Sequence, residues 1–439
     1  MRSRFLLRKE NFGGLLYDRD NFEFYFIDMF GFDIIFNIAQ MGIQKTILIY
    51  DNIERNNVVE YIKELSKMGL IKDNKINADI IINKPTEKSL SAPIKAYLTI
   101  TDICNLRCEH CFGDFGQGSE MSMEQIEYVI MQLKELGVPQ ISITGGEPLC
   151  HPRIYEIIEL IIEENFTIQI TTNGLLINDK FVNALSKYSN QCFRVSISLD
   201  GIEGAHDMIR GKGNFSRVMD KIRYLQHNNF NFGVNTVINN YNIDTIEQYL
   251  DMLLENKITN VSFSLVMPTG RAGKGQINLI KLDDSHWKDK IVKVKKSIQE
   301  FAKKTSLSQY AFGKVVTPDG EFILEHDEIR TKLGLKRCAA GSYIVTISSN
   351  GDLFPCVHLK EFFDRRNIFS ESIFDKHFKE IWDSNEQFVF MRNLEAGDSC
   401  ISCESYINGL CVGGCPAISD IYTYNVFDND PYCPKWEIK

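Results

Sequence analysis

Between residues 94 and 266 the chain alternates strand-like and helix-like runs. β-prone runs fall at 95–101, 140–146, 167–173, 192–200, 232–238 and 260–266. The segments between them repeat apolar residues at helical spacing. One opens at Ser122, which forms an S-x-x-Q capping box with Gln125, carries Ile126, Val129, Ile130 and Leu133 on one face, and stops at Gly137. Another repeats Ile243, Ile246, Leu250, Leu253 and Leu254. Six β–α units predict an α/β fold on a parallel sheet, either open or curled into a partial barrel. Buried parallel strands usually read as unbroken apolar runs, but these alternate. Phe193, Val195, Ile197 and Leu199 alternate with Arg194, Ser196, Ser198 and Asp200. Ile168 and Ile170 alternate with Gln169, Thr171 and Asn173. The apolar faces should pack on the helices, leaving the polar faces to line a cavity for a polar ligand.

Residues 1–83 read as a separate small α+β unit. β-prone runs at 13–17 and 22–27 flank the turn Asp18-Arg19-Asp20-Asn21. A helix from about 28 to 41 is ended by Gly42. A second, from about 55, has Val58, Ile62, Leu65 and Met68 on one face and Gly69 at its end. Residues 84–93 hold two Pro and two Ser and read as a linker. The barrel should occupy 94–275. A bridging region, 276–335, carries a helix near 284–304 and short β-prone runs. The remainder, 336–439, is loop-dense and should depend on bound metal to fold.

Composition is that of an ordinary globular protein, with 44% hydrophobic and 24% charged residues. A net charge of −9 with no basic stripe argues against a nucleic-acid partner. No apolar run of membrane-spanning length or signal peptide is visible, so a cytoplasmic location is expected. In such a reducing compartment, the clustered Cys among the twelve are read as metal ligands rather than disulfides. They are segregated: three at 104–111, Cys150 and Cys192 alone, and seven between Cys338 and Cys433.

The first group, Cys104-Asn-Leu-Arg-Cys108-Glu-His-Cys111-Phe112, follows the first barrel strand. C-x3-C-x2-C can ligate three irons of a [4Fe–4S] cubane, leaving the fourth open to a small molecule. Electron-transfer clusters ordinarily take four Cys. A structural zinc site would want a fourth ligand, and His110, between two Cys ligands, is poorly placed to supply it. In parallel barrels, sites lie at the C-terminal strand ends. The second strand runs into Gly145-Gly146-Glu147-Pro148 at that same end. Two glycines permit close backbone approach, and Glu147 can accept from an ammonium.

These motifs make the chain resemble radical S-adenosylmethionine (SAM) enzymes, whose signature is C-x3-C-x2-C followed by an aromatic, here Phe112. The resemblance implies that SAM chelates the open iron and is cleaved by one electron to a 5′-deoxyadenosyl radical that abstracts hydrogen from substrate. It assigns Gly145, Gly146 and Glu147 to the SAM amino group, Ser198 to a polar position on the fourth strand, and Asp200 to the ribose. Arg210, in His206-Asp-Met-Ile-Arg210-Gly-Lys-Gly, is assigned to the SAM carboxylate. Asn173 matches another contact, though Asn-Gly is also an ordinary turn.

The tail, Cys338-x12-Gly351-x4-Cys356 and then Cys400-x2-Cys403-x7-Cys411-x3-Cys415 and Cys433, resembles a SPASM domain. That module holds two auxiliary [4Fe–4S] clusters, which would make three clusters in all. The resemblance places Cys400, Cys403, Cys411 and Cys433 on the outer one, and Cys338, Cys356 and Cys415 on the inner one. The inner cluster would then have an open iron or an unusual ligand such as His358. Cys150 and Cys192 match no cluster position and read as packing thiols. Residues 1–83 resemble the winged-helix-like recognition domain of ribosomal-peptide maturases, which binds a leader peptide as an added strand.

The resemblance therefore implies a peptide maturase, most like streptide-type Lys–Trp cyclases, with thioether-forming sactipeptide synthases next. It also implies a precursor peptide and a reductant such as flavodoxin or ferredoxin as partners. An anaerobic sulfatase maturase would carry an Asp directly after the Cys equivalent to Cys356, where this chain has Val357. A non-catalytic iron–sulfur electron carrier would need no SAM pocket. No residue is singled out as the catalytic base.

Overall fold

The computed structural model describes residues 3–433 apart from 52, 85, 87, 189–191, 275–286, 312–313, 325–326, 336 and 409–410. The N-terminal unit contains β1 (Phe5–Glu10), β2 (Gly13–Asp18), β3 (Glu23–Asp28), α1 (Met29–Met41), α2 (Ile43–Leu48), α3 (Glu54–Met68), a hairpin of β4 (Ile71–Lys72) and β5 (Lys75–Ile76), and β6 (Ala78–Ile81). Its sheet runs β3-β2-β1-β6. The predicted helices form with the predicted stops. Asp28 caps α1 by accepting from the Gly31 N–H at 2.7 Å, and Gly42 and Gly69 follow α1 and α3 with positive φ. The sequence pattern did not reveal β1. Its Arg8 and Glu10 look like surface charges, yet both are buried and paired at 2.7 Å.

The barrel follows with β7 (Lys95–Thr101), α4 (Met123–Glu135), β8 (Gln140–Gly145), α5 (Ile154–Glu163), β9 (Thr167–Thr172), α6 (Asp179–Ser186), β10 (Phe193–Ser198), α7 (Glu203–Arg210), α8 (Asn214–His227), β11 (Gly233–Ile238), α9 (Ile246–Glu255) and β12 (Val261–Leu265). Every predicted barrel strand is present within two residues of its expected bounds. The strands β7 to β12 lie side by side in chain order and all parallel, the arrangement of a partial (β/α)6 barrel. Sequential order follows when each helix crosses over to the adjacent strand. The capping box at Ser122 is formed by both of its hydrogen bonds. One face of the sheet joins Leu98, Ile143, Ile170 and Ile197 to the helices in a single buried cluster. The other face carries Thr99, Gln169, Thr171, Ser196 and Ser198, the period-two pattern of the sequence.

After β12 come α10 (Gly270–Lys274) and α11 (Trp287–Thr305), then β13 (Gln309–Ala311), β14 (Lys314–Val316) and β15 (Phe322–Leu324), which extend the sheet beyond β12. The start of the helix predicted near 284 lies outside the described residues. On the opposite side, β16 (Ile344–Ile347) pairs parallel with β7 and carries β17 (Asp352–Phe354) and β18 (Glu371–Ser372). The tail therefore differs from the expected loop-dense module without a core. Val345, Ile347, Leu353, Ile373, Phe378, Ile381, Trp382 and Phe388 belong to the same buried cluster as the barrel. From 395 to 433, by contrast, the buried hydrophobic residues among those described are only Ala396, Ala417, Ile418, Val426 and Tyr432.

The N-terminal unit is fastened to the end of the barrel opposite the cysteine loop. The Arg8 guanidinium donates to the carbonyls of Ala92, Pro93 and Gly137 at 2.7–3.0 Å, and the Tyr17 hydroxyl meets Thr167 Oγ1 at 2.9 Å. Arg194 lies 4.1 Å above the Phe22 ring. No helix among the described residues is long and apolar enough to cross a membrane.

Candidate cluster and cofactor site

The cysteine loop leaves β7 at Thr101, where the pairing with β8 shifts register between Thr99 and Thr101. Such an irregularity re-aims the chain at a strand end. Gly146 then packs directly on the loop. Its N–H donates to the Thr101 carbonyl at 2.9 Å, and a Cβ there would stand 2.2 Å from the Ile103 carbonyl oxygen. Glu147 N–H donates to the Ile103 carbonyl. The two glycines are thus required by contact between the β8 end and the cysteine loop, whatever else they bind.

Glu147 is buried and its carboxylate is already well partnered. Oε1 accepts from Thr172 Oγ1 at 2.7 Å and Leu149 N at 3.1 Å, and Oε2 accepts from Asn173 N at 2.7 Å. Burial pushes this carboxyl up, partly offset by the Asn173 N–H and the Thr172 hydroxyl. Asn173 serves as both turn former and tie. Its Oδ1 accepts from Leu175 N, and its Nδ2 donates to Asn105 Oδ1, inside the cysteine loop, at 2.7 Å. The ends of β8 and β9 therefore position the loop between Cys104 and Cys108.

Beyond β10, Asp200 is fully buried. Its Oδ1 accepts from Val237 N at 2.8 Å, and its Oδ2 faces Arg210 Nε at 2.5 Å and His110 Nε2 at 3.2 Å. Burial alone would raise this carboxyl, but Arg210 and then His110 hold it well below the usual carboxylate range. His206 and Arg210 sit at i and i+4 on α7 and so share its buried face. His206 Nδ1 accepts from the Asp200 N–H at 3.1 Å, and burial pushes the ring down to about 4, keeping it neutral. Arg210 also reaches Cys108 Sγ, at 3.9 Å, and His110 Nε2, at 3.2 Å. The structure thus brings Cys108, His110, Asp200 and Arg210 together. Ser198, also buried, precedes them on the polar face of β10. Sequence reasoning set His110 aside because it asked only whether the ring could ligate metal.

Arg271 was also missed. Its Nη1 donates to the Cys108 carbonyl at 2.8 Å and its Nη2 to the Phe115 carbonyl at 2.6 Å, while its own N–H donates to the Cys111 carbonyl. Gly270, at φ 58°, packs so close that a Cβ would lie 2.2 Å from the Phe112 carbonyl oxygen. A Gly-Arg pair just past a barrel strand was the available signal. Phe112 is partly exposed and turns toward the tail, edge-on to Phe115 at 5.5 Å and His358 at 5.4 Å.

The tail cysteines fall into two neighbourhoods. Cys415 lies near Cys338 and Cys356, while Cys400 lies near Cys433, Cys411 and Cys403. His358 lies between the tail and the radical loop, its Nδ1 at 3.0 Å from Thr269 Oγ1. Cys192 is buried in the barrel core, whereas Cys150 lies near Cys104.

The residues fit an iron–sulfur cluster and a polar ligand. Burial is the main cause that pushes Cys104 and Cys356 up to about 12, so these thiols release protons only when metal binds. Among the described residues, no three Cys, His, Asp or Glu side chains converge as they would on one metal ion. In a cubane each thiolate meets its own iron. His110 Nδ1 and His206 Nε2 are buried with no hydrogen-bond partner, and a bound polar ligand could satisfy them.

A three-cysteine loop thus stands at the mouth of a parallel partial barrel, with a cysteine-rich extension on its flank. The radical SAM superfamily model matches residues 98–253, and the SPASM iron–sulfur cluster-binding domain matches 338–404. The chain carries a radical SAM domain and a SPASM domain. The AdoMet-dependent heme synthase of Methanosarcina barkeri is 26% identical over 356 residues, spanning 78% of this chain and 97% of that protein. The mycofactocin maturase MftC of Mycolicibacterium smegmatis is 26% identical over 358 residues, spanning 79% and 84%. The crystal structure of Streptococcus suis SuiB bound to S-adenosylmethionine covers 98% of each chain with a TM-score of 0.71 at 20% identity. SuiB has also been solved bound to its precursor peptide SuiA.

Proposed function

We propose that this protein is a radical SAM peptide maturase that installs an intramolecular crosslink in a ribosomally made precursor. The supporting observation is the fold likeness to SuiB, which runs through nearly the whole chain and so includes the N-terminal unit. Identity does not choose the substrate, since the heme synthase and the maturase are equally similar. In the N-terminal unit β3 is a half-buried edge strand with β2 on only one side, which suits strand addition by a leader peptide. Val357, where a sulfatase maturase would carry Asp, speaks against that reading.

Cys104, Cys108 and Cys111 would hold the SAM-binding cluster. The other seven assigned cysteines would hold two auxiliary clusters, 338, 356 and 415 on one and 400, 403, 411 and 433 on the other. Bound SAM and its cluster would supply hydrogen-atom abstraction. The protein's own residues bind and orient. Asp200 pins Arg210 and His110 beside Cys108, Glu147 and Asn173 fix the strand ends, and Arg271 holds the loop from behind. The polar face of β7–β12 would accept the peptide.

Our preferred bond is a Lys–Trp carbon–carbon link, with a Cys thioether as the alternative. The precursor encoded beside this gene, incubated anaerobically with reconstituted enzyme, SAM and a reductant such as flavodoxin, should lose about 2 Da per link. If the link joins carbons, every Cys thiol stays alkylatable; a thioether removes one. Unchanged mass, or the gain of an oxygen, would exclude both. Replacing Cys104, Cys108 and Cys111 together with Ala should remove about four irons and abolish 5′-deoxyadenosine formation.

A further inference from the structure

Arg337 is 1% exposed and immediately precedes Cys338. Every partner of its guanidinium is neutral. Nη1 donates to the carbonyls of Val426 and Glu395, and Nη2 donates to the Asp428 carbonyl at 2.9 Å and to Ser419 Oγ at 3.1 Å. Nε is buried with no partner at all. The other buried arginines described above each hold a carboxylate, Arg8 with Glu10 and Arg210 with Asp200. Arg337 makes no ion pair with any carboxylate among the described residues. Its own carbonyl accepts from a second buried cation, Arg330. A buried charge without a counter-charge is strongly disfavoured.

The groups around it indicate what could supply that counter-charge. The cysteines within electrostatic range of the guanidinium are Cys415, Cys400 and Cys338, together with Asp430. Cys338 and Cys415 belong to one cysteine neighbourhood and Cys400 to the other. The hydrogen bonds lead to the same places. Ser419, which accepts from Arg337, donates to the Cys415 carbonyl at 3.1 Å. Asp428, whose carbonyl holds Nη2, precedes Asn429, whose Oδ1 lies 3.3 Å from Cys400 Sγ. Asp430 is committed elsewhere, accepting from the N–H groups of Cys415 and Tyr432.

We propose that Arg337 is the shared counter-charge of the two auxiliary clusters, a buried cation set between them that raises both reduction potentials and readies them to accept an electron. A [4Fe–4S] cluster with thiolate ligands is net negative, so it neutralises the guanidinium. A fixed positive charge stabilises the reduced, more negative cluster more than the oxidised one. The inference rests on assigning clusters to these cysteines, which the iron content of the wild-type protein tests separately.

The test uses full-length reconstituted holoenzyme with SAM bound, so that the radical cluster's signal is shifted away from the auxiliary ones. Redox titration followed by electron paramagnetic resonance compares wild type, Arg337→Gln and Arg337→Lys. With iron fully loaded, Arg337→Gln should move the auxiliary midpoints to more negative potentials, and Arg337→Lys should restore part of the shift. Unchanged midpoints in a fully loaded Arg337→Gln protein would overturn the proposal. If Arg337→Gln fails to load its auxiliary clusters, loading by Arg337→Lys supports the need for charge. Failure of both variants to load would show that the site needs the guanidinium's shape, and would also overturn it.

Discussion

In the barrel, Ile143, Ile170 and Ile197 are fully buried on neighbouring strands, and helices close over them in one continuous apolar cluster. Among the described residues between 395 and 433, two of the five buried hydrophobics are alanines, and the chain turns instead around cysteines and a buried arginine. The first region excludes enough apolar surface to stand on packing alone. The second leaves a guanidinium and several thiols inside a thin shell, an arrangement that thiolates on bound metal would make favourable. Residues 344–391 lie between these extremes. They belong to the cysteine-rich domain by sequence but are held by the barrel's core and by the pairing of β16 with β7.

The sharpest way to break this contrast is to strip the iron. Limited proteolysis of the apoprotein should cut within 395–433 while the barrel and 344–391 stay protected. Equal protection with and without iron would show that packing alone holds the tail. A smaller effect is expected from truncation inside the barrel. Ile143→Ala should destabilise the holoprotein by about 2–5 kcal/mol in denaturant unfolding, and Leu394→Ala, at the edge of a small satellite cluster, by an amount near the low end of that range. A larger loss at Leu394 would reverse the ranking.

Acid should act on the barrel through His206. Burial lowers the folded-state pKa from 6.5 to about 4, so the unfolded chain binds the proton first. The stability this neutral ring contributes is complete above about pH 6.5 and is lost as pH falls toward 4, by at most about 3 kcal/mol. His206→Asn retains an acceptor for the Asp200 N–H and should flatten that part of the melting-temperature profile. An identical profile in wild type and variant would remove His206 from the account. The smallest effect belongs to the tail's surface. Ile407 is exposed, and Ile407→Ala should change stability by less than about 0.5 kcal/mol.

Most of the barrel could be read from local patterns. The alternation of apolar and polar residues located its strands to within two residues, because a period of two depends only on neighbours along the chain. The capping box at Ser122 and the stops at Gly42 and Gly69 are equally local. The strand β1 escaped because Arg8 and Glu10 pair inside the protein and Arg8 reaches carbonyls about 85 and 129 residues away, so their burial has no local signature. The contacts of Glu147 show the same limit. The sequence offered it as an acceptor for an ammonium, and the structure adds that both oxygens also accept from the end of β9.

By itself the sequence determined the chemistry available. The spacing of Cys104, Cys108 and Cys111, the second cysteine set from 338 to 433, and the glycines at 145 and 146 are covalent facts that no fold alters. Only the tertiary structure decided how that chemistry is supported. It brought His110 and Arg210 onto Asp200, set Arg271 behind the cysteine loop, and placed Arg337 among thiols of both tail groups with no ion pair to a carboxylate among the described residues. Charges and hydrogen bonds act through space over a few ångströms, and the groups that meet here are separated by up to about 160 residues along the chain.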